Sequence, residues 1–182
     1  MARDTLSRSL HDVGLAAWFG GTLANAVALN PASAEADTAQ GTGRVANTGW
    51  NRWTPVNAAA IGAHLVGSVG ELAGNRSRLA AQEGVATMSV AKTALTVAAL
   101  GATGYSRLLG RKVNQNTSVP AASGTESTVE TPVEVVRAQK KLNALQWVVP
   151  ALTGALVVIS SFAGEQQRAS EVQKGVLGRF FG

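Results

Sequence analysis

The chain has 182 residues and a formal net charge of +5, with hydrophobic residues at 46% and charged residues at only 15%. A water-soluble domain carries roughly 25% charged residues, so this balance argues for a fold solvated by lipid. The absence of cysteine excludes a disulfide framework, a thiolate nucleophile, an iron–sulfur cluster and Cys-ligated zinc. The basic residues flank apolar blocks, as anionic headgroups favour, and no aromatic-interleaved basic patch occurs, so no nucleic-acid partner is expected.

The apolar residues gather in four blocks, at 13–32, 55–74, 86–108 and 144–163. Each is about the twenty residues that a helix needs to cross ~30 Å of hydrocarbon. The blocks rely on Ala, Gly and Val more than on Leu, Ile and Phe, so a soluble Ala-rich helical bundle is the rival reading. A soluble bundle needs a charged outer stripe on every helix, whereas 13–32 and 144–163 contain no charged residue. The expected fold is all-α: an integral membrane four-helix bundle with a C-terminal interfacial helix, one membrane domain over residues 1–182.

In chain order, Met1 to Asp12 is polar and carries Arg3 and Arg8. The following block is too long for a signal-peptide core, and Ala34 to Asp37 is a poor cleavage context, so a retained helix is expected. Within it His11, Gly14, Trp18, Gly21 and Asn25 share a face that should meet other helices. Asn30 and Pro31 should end this helix, and the next twenty or so residues read as a small, polar aqueous loop. Trp50 and Trp53 suit the headgroup layer, and Thr54 with Pro55 reads as an N-cap followed by a first-turn proline.

The second and third spans form a hairpin around the basic loop from Asn75 to Gly84. In the second, Ala60, His64, Gly67, Glu71 and Gly74 make a small-or-polar stripe, with Ile61, Leu65, Val69 and Leu72 toward lipid. In the third, Ser89, Lys92, Thr96, Ala99 and Thr103 make the matching stripe, and small residues allow close backbone approach. Residues 110–131 are polar and low in complexity, the composition of a flexible loop. Pro132 should start an amphipathic helix running through Lys141 into the fourth span, which carries Gln146, Pro150, Thr153, Val157 and Ser160 on one face. Pro150 should kink it. The tail, 165–182, mixes Val176, Leu177, Phe180 and Phe181 with Arg168, Lys174 and Arg179, the pattern of an interfacial helix.

The ionisable residues near the membrane form the candidate site: His11, Asp12, His64, Glu71 and Lys92. Such residues are expensive in hydrocarbon and therefore candidates for function. The plainer reading is that Glu71 and Lys92 neutralise each other near the headgroups and hold the hairpin in register. His64, near mid-span, invites a proton or ligand site, against a neutral histidine bonded to a Ser or Asn of a neighbouring helix. A shared haem between His11 and His64 is not expected, since His11 opens its span ~16 Å from the midpoint. No His, Asp or Glu pair stands at one-turn spacing within the four apolar blocks, and adjacent His11 and Asp12 point in different directions, so no metal is expected. No G-x-S-x-G motif and no phosphate-binding glycine loop occurs; Gly20, Gly21 and Gly104 read as helix-packing positions. No catalytic residue and no cofactor is assigned.

The opening Met-Ala-Arg-Asp-Thr-Leu-Ser-Arg-Ser-Leu-His-Asp-Val-Gly-Leu-Ala-Ala-Trp-Phe-Gly-Gly, with Gly-Trp-Asn-Arg-Trp-Thr-Pro-Val-Asn-Ala before the second span, resembles an uncharacterised family of actinobacterial, mycobacterial-type four-span integral membrane proteins. The likeness covers spans one to three and implies membrane residence without an activity. His-x-x-Gly-x-x-x-Trp-x-Gly-Gly is faintly similar to the first helix of copper-resistance proteins; their wider pattern is lacking and no ligand residue is carried over.

Two functions are in view. One is a non-enzymatic accessory or scaffold subunit contacting the lipid bilayer and a membrane partner or a second copy. The other is a small proton- or solute-handling carrier using the polar cluster. Basic residues outside the spans are nearly tied between the two sides. Arg3 and Arg8 flank the first helix, whose other flank has no basic residue before Arg44, so both termini are expected to be cytoplasmic in a plasma-membrane protein.

Overall fold

A computed structural model of the protein describes residues 4–82, 84–115, 120–165 and 168. Its helices are α1 (Thr5–Ala24), α2 (Ala39–Gly74), the short α3 (Arg76–Ala81), α4 (Val85–Asn114) and α5 (Val133–Glu165). Among the described residues the β structure is one isolated bridge, Ala121 to Ser127. The four long helices run alternately up and down. Gly67 of α2 lies against Ser7 and His11 of α1, Lys92 of α4 reaches Glu71 of α2, and Lys141 of α5 donates to the Tyr105 hydroxyl of α4. The start of α1, α3 and the end of α5 therefore share one end of the bundle. As expected, α5 carries the amphipathic segment straight into the last apolar block, with Pro150 in its interior. The expected interfacial helix of the tail falls outside the described residues.

α1 begins eight residues before its apolar block, because the Asp4 side chain accepts from the Ser7 backbone N–H at 3.2 Å and caps it. Asn30 and Pro31 do not end the helix. The chain widens into a π-helical turn, Asn25–Leu29, in which the Asn30 N–H bonds back to Asn25. It then continues through Asn30–Ala32 and a 3-10 turn, Ser33–Glu35. The extra residue in the wide turn lets the chain carry Pro31 without breaking.

The largest departure from expectation is α2. Thr38 caps it, accepting from the Gly41 N–H at 3.0 Å, and the stretch expected as an aqueous loop is helical. Its intrinsic preference is poor, but Gly41, Thr42 and Ala46 are buried and Gly49 packs against Leu29, so tertiary contact overrides propensity. Pro55 is inside this helix, not at its start, and the Thr54 hydroxyl donates to the Trp50 carbonyl at 2.8 Å. The two tryptophans turn toward the first helix and its extension: the Trp50 indole N–H donates to Asn30 Oδ1 at 2.9 Å, and the Trp53 ring covers Gly21.

Residues 120–131 also differ from the expected flexible loop. The Ala121 N–H donates to the Ala39 carbonyl at 3.1 Å, the Gly124 N–H to the Asn30 carbonyl at 3.2 Å, and the Thr131 hydroxyl to Pro120 at 2.6 Å. The same small polar side chains that signal a loop satisfy its own backbone and dock it on the helix ends.

Trp18, Ala60, Ala99 and Val149, one from each long helix, form the central core. A second cluster, Leu109, Val113, Val135 and Ala138, closes α4 on α5 at the far end. α1 packs along α2 and α5, and α4 along α5, whereas α2 and α4 scarcely touch. The expected close hairpin of the second and third spans is therefore corrected: α2 makes its intimate approach to α1. Glycine explains the choice. A Cβ on Gly14 would meet the Ala60 carbonyl and the His64 nitrogen, and one on Gly67 the His11 nitrogen, whereas Gly20, Gly101 and Gly104 face open space.

α1 with its extension (Thr5–Glu35), α4 and α5 are long and apolar enough to cross a membrane. α2 has the length, but Asn57, His64 and Glu71 dilute its apolar character. Gly67→Ala should force α1 and α2 apart and lower stability by about 1–3 kcal/mol, while Gly101→Ala should be neutral or gain up to about 1 kcal/mol from helix propensity. Thermal unfolding of the detergent-purified variants checks this, and equal effects of the two would contradict the packing.

Candidate functional site

The five sequence candidates converge at the α1–α2 crossing and the adjoining wall of α4. Asp4 starts α1 early and α2 extends back to Ala39, which changes both depths in the same sense. His11 lies about two turns inside α1, and His64 lies well toward the C-terminal end of α2 and not at its middle. The imidazole centroids are 4.6 Å apart, with the rings tilted by 48°. The expected depth mismatch between the two histidines is thus overturned, and the error came from span boundaries read off apolar character alone.

Both rings are buried, His11 at 1% and His64 at 0% exposure. His64 Nδ1 is 3.5 Å from the His11 carbonyl, to which only an N–H can donate, so Nε2 keeps its lone pair for the Thr96 hydroxyl, also at 3.5 Å. The Trp18 ring flanks His64 at 6.0 Å between centroids, and its indole N–H donates to the Thr103 hydroxyl at 3.2 Å. The hydroxyl that faces His64 from a neighbouring helix is that of Thr96, where serine or asparagine was expected.

His11 and Asp12 do not point apart. The carboxylate folds back so that His11 Nδ1 is 2.8 Å from Asp12 Oδ1, leaving His11 Nε2 buried without a partner. Glu71 reaches the same place from α2, and donor atoms of His11, Asp12 and Glu71 all lie within 4.8 Å of one another. No spacing within one helix reveals a set assembled across two, which is why sequence spacing gave no metal-ligand pair. Lys92 of α4 meets Glu71 Oε2 at 3.5 Å, both side chains about one-fifth exposed. The expected pairing is present, but it spans a gap between helices that stand apart.

That gap is a cleft of about 520 Å³ between α2 and α4. Leu65 and Val69 line one wall and Val97 and Leu100 the other, with Glu71 and Lys92 bridging it near its end. At the same end Arg78 donates to Asn75 and Gln82 at 3.0 Å. Desolvation, with the nearby Arg8 guanidinium second, pushes the Arg78 pKa below its ordinary value.

Sequence reasoning missed Asn30, a hub at the opposite end. It is 2% exposed, donates to Gln146 Oε1 at 2.8 Å, accepts from the Trp50 indole and receives the Gly124 N–H on its carbonyl. It ties α1 to α2, α5 and the 120–131 segment. Its position before Pro31 gave the local signal of a helix end and concealed this role. Thr96 was marked as part of a stripe but not as the partner of His64.

Compared with protein-family models, curated proteins and solved structures, the chain matches none.

Glu71→Ala or Lys92→Ala alone should destabilise the detergent-purified protein by roughly 1–3 kcal/mol, between the values for exposed and buried pairs, by leaving one charge uncompensated. The double variant should recover part of that loss. Silent single variants, or a double that sums the two losses, would contradict the pairing.

Proposed function

We propose that the protein is a four-span, non-enzymatic integral membrane protein of the plasma membrane that serves as an accessory or scaffold subunit, presenting the α2–α4 cleft to a membrane partner or to a second copy of itself. The observation that carries this reading is the cleft. Two helices adjacent in the chain leave between them an apolar-walled gap of about 520 Å³, where a bundle complete in itself would close it. Wide exposure of Val56 and Val66 on α2 and of Val90 and Leu108 on α4, away from the cleft, supports lipid contact for α2 as well as for the three more apolar helices, since patches of this kind mark membrane or protein contact. Arg3 and Arg8 before α1 support cytoplasmic termini.

A second reading, a proton- or solute-handling carrier, is favoured by one observation: the buried His11–His64 pair connects through Asp12, whose side chain is 60% exposed, to the end of the bundle. In that reading His64→Phe abolishes pH-dependent flux in liposomes while leaving the fold intact.

A photoreactive phenylalanine analogue placed at Val69 or Val97, on the cleft walls, separates the two. Irradiation in native membranes should give one discrete higher-mass adduct from these positions and none from Val13 or Val158, exposed elsewhere at 68% and 56%. Equal adducts from all four positions, or none from the cleft, would count against the scaffold reading.

A further inference from the structure

We propose that His11, Asp12 and Glu71 form a binding site for a divalent first-row transition cation at the mouth of the α1–α2 crossing. The inference is independent of the scaffold and carrier readings, because it rests on the donor set and its geometry. One imidazole and two carboxylates, drawn from two helices, place donor atoms within 4.8 Å of one another. The His11 Nδ1 to Asp12 Oδ1 separation is 2.8 Å. Donors bound at ~2.0–2.2 Å and at right angles about one ion stand ~3 Å apart, so these two atoms already have the spacing of neighbouring ligands. Glu71 completes the set by a side-chain movement within the cleft, where Lys92 meets it at 3.5 Å.

A second observation singles out the histidine. His11 is 1% exposed, yet its Nε2 is buried with no hydrogen-bond partner, an arrangement that costs free energy unless it serves something. Nδ1 faces Asp12 Oδ1 at 2.8 Å, so a cation bound there would leave the ring proton of a neutral imidazole on Nε2, on the side of the ring away from Asp12. Asp12 and Glu71 bring two carboxylates to the donor set, and Lys92 meets one of them, at Glu71 Oε2.

The chemistry of the donors narrows the ion. A nitrogen among the ligands disfavours Mg²⁺ and Ca²⁺, which take oxygen, and the lack of sulfur disfavours Cu⁺. Mn²⁺, Fe²⁺, Co²⁺, Ni²⁺, Cu²⁺ and Zn²⁺ remain, with the free coordination positions open to water or to a ligand entering from the exposed side of Asp12.

The test is titration of the full-length chain, purified in detergent without a histidine tag, with Co²⁺ followed by visible absorption and with Zn²⁺ followed by calorimetry. The expected result is saturation at one ion per chain, with Asp12→Asn and Glu71→Gln each weakening binding about tenfold or more. Lys92→Gln should bind as tightly as the parent or more tightly, because a competing cation is gone. Asp12→Asn replaces a largely exposed side chain and keeps its shape, so its circular dichroism should match the parent even where Glu71→Gln loosens the bundle. Absence of saturable binding, unchanged affinity in Asp12→Asn, or loss of binding in Lys92→Gln would overturn the proposal.

Discussion

The close crossing of α1 and α2 is the contact on which the rest of the structure depends. Gly14 faces the backbone of Ala60 and His64, and Gly67 faces the backbone of Ser7 and His11, so the two helices approach at a distance that no larger residue permits. That approach places two imidazoles in contact in the interior, sets Trp18 into the centre of the bundle and brings Asp12 and Glu71 to a common mouth. Because α2 is committed to α1, and α4 is committed to α5, the seam between α2 and α4 stays open. The cleft and the polar cluster are two consequences of one packing decision.

The same residues set the tension in α2. Asn57, His64 and Glu71 make it less apolar than α1, α4 and α5, and a polar group in hydrocarbon is tolerable only with partners. His64 is turned inward to Thr96 and the His11 carbonyl, and Glu71 to Lys92. The outer side of α2 keeps Val56, Val66 and Val69. A helix of this kind is stabilised by its neighbours more than by its own apolar character.

Much of the architecture was legible in the sequence because it follows from periodicity. The faces of α1 and α2 that meet, the Glu71–Lys92 pair and the continuity of α5 all follow from spacings of three and four residues. What was not legible depends on partners distant in the chain. The Gly-rich stretch before Trp50 has the composition of a loop, and only burial of Thr42 and Ala46 makes it a helix. Asn30 has the local signature of a terminator, while its role comes from Trp50 and Gln146. Within the site, the named residues come together in space, but their depths differ from those expected. Apolar character marked span ends that Asp4 and Thr38 actually set, and the resulting offset hid both the histidine contact and the cross-helix donor set.

The proposed four-span reading, in which α2 crosses the bilayer beside the three more apolar helices, is tested most directly by single cysteines in this cysteine-free chain. Asp37→Cys and Ser77→Cys lie at exposed positions just beyond the two ends of α2. With a membrane-impermeant thiol reagent on intact cells, the account predicts labelling at Asp37→Cys and protection at Ser77→Cys until the membrane is permeabilised. Equal labelling of the two on intact cells would contradict it.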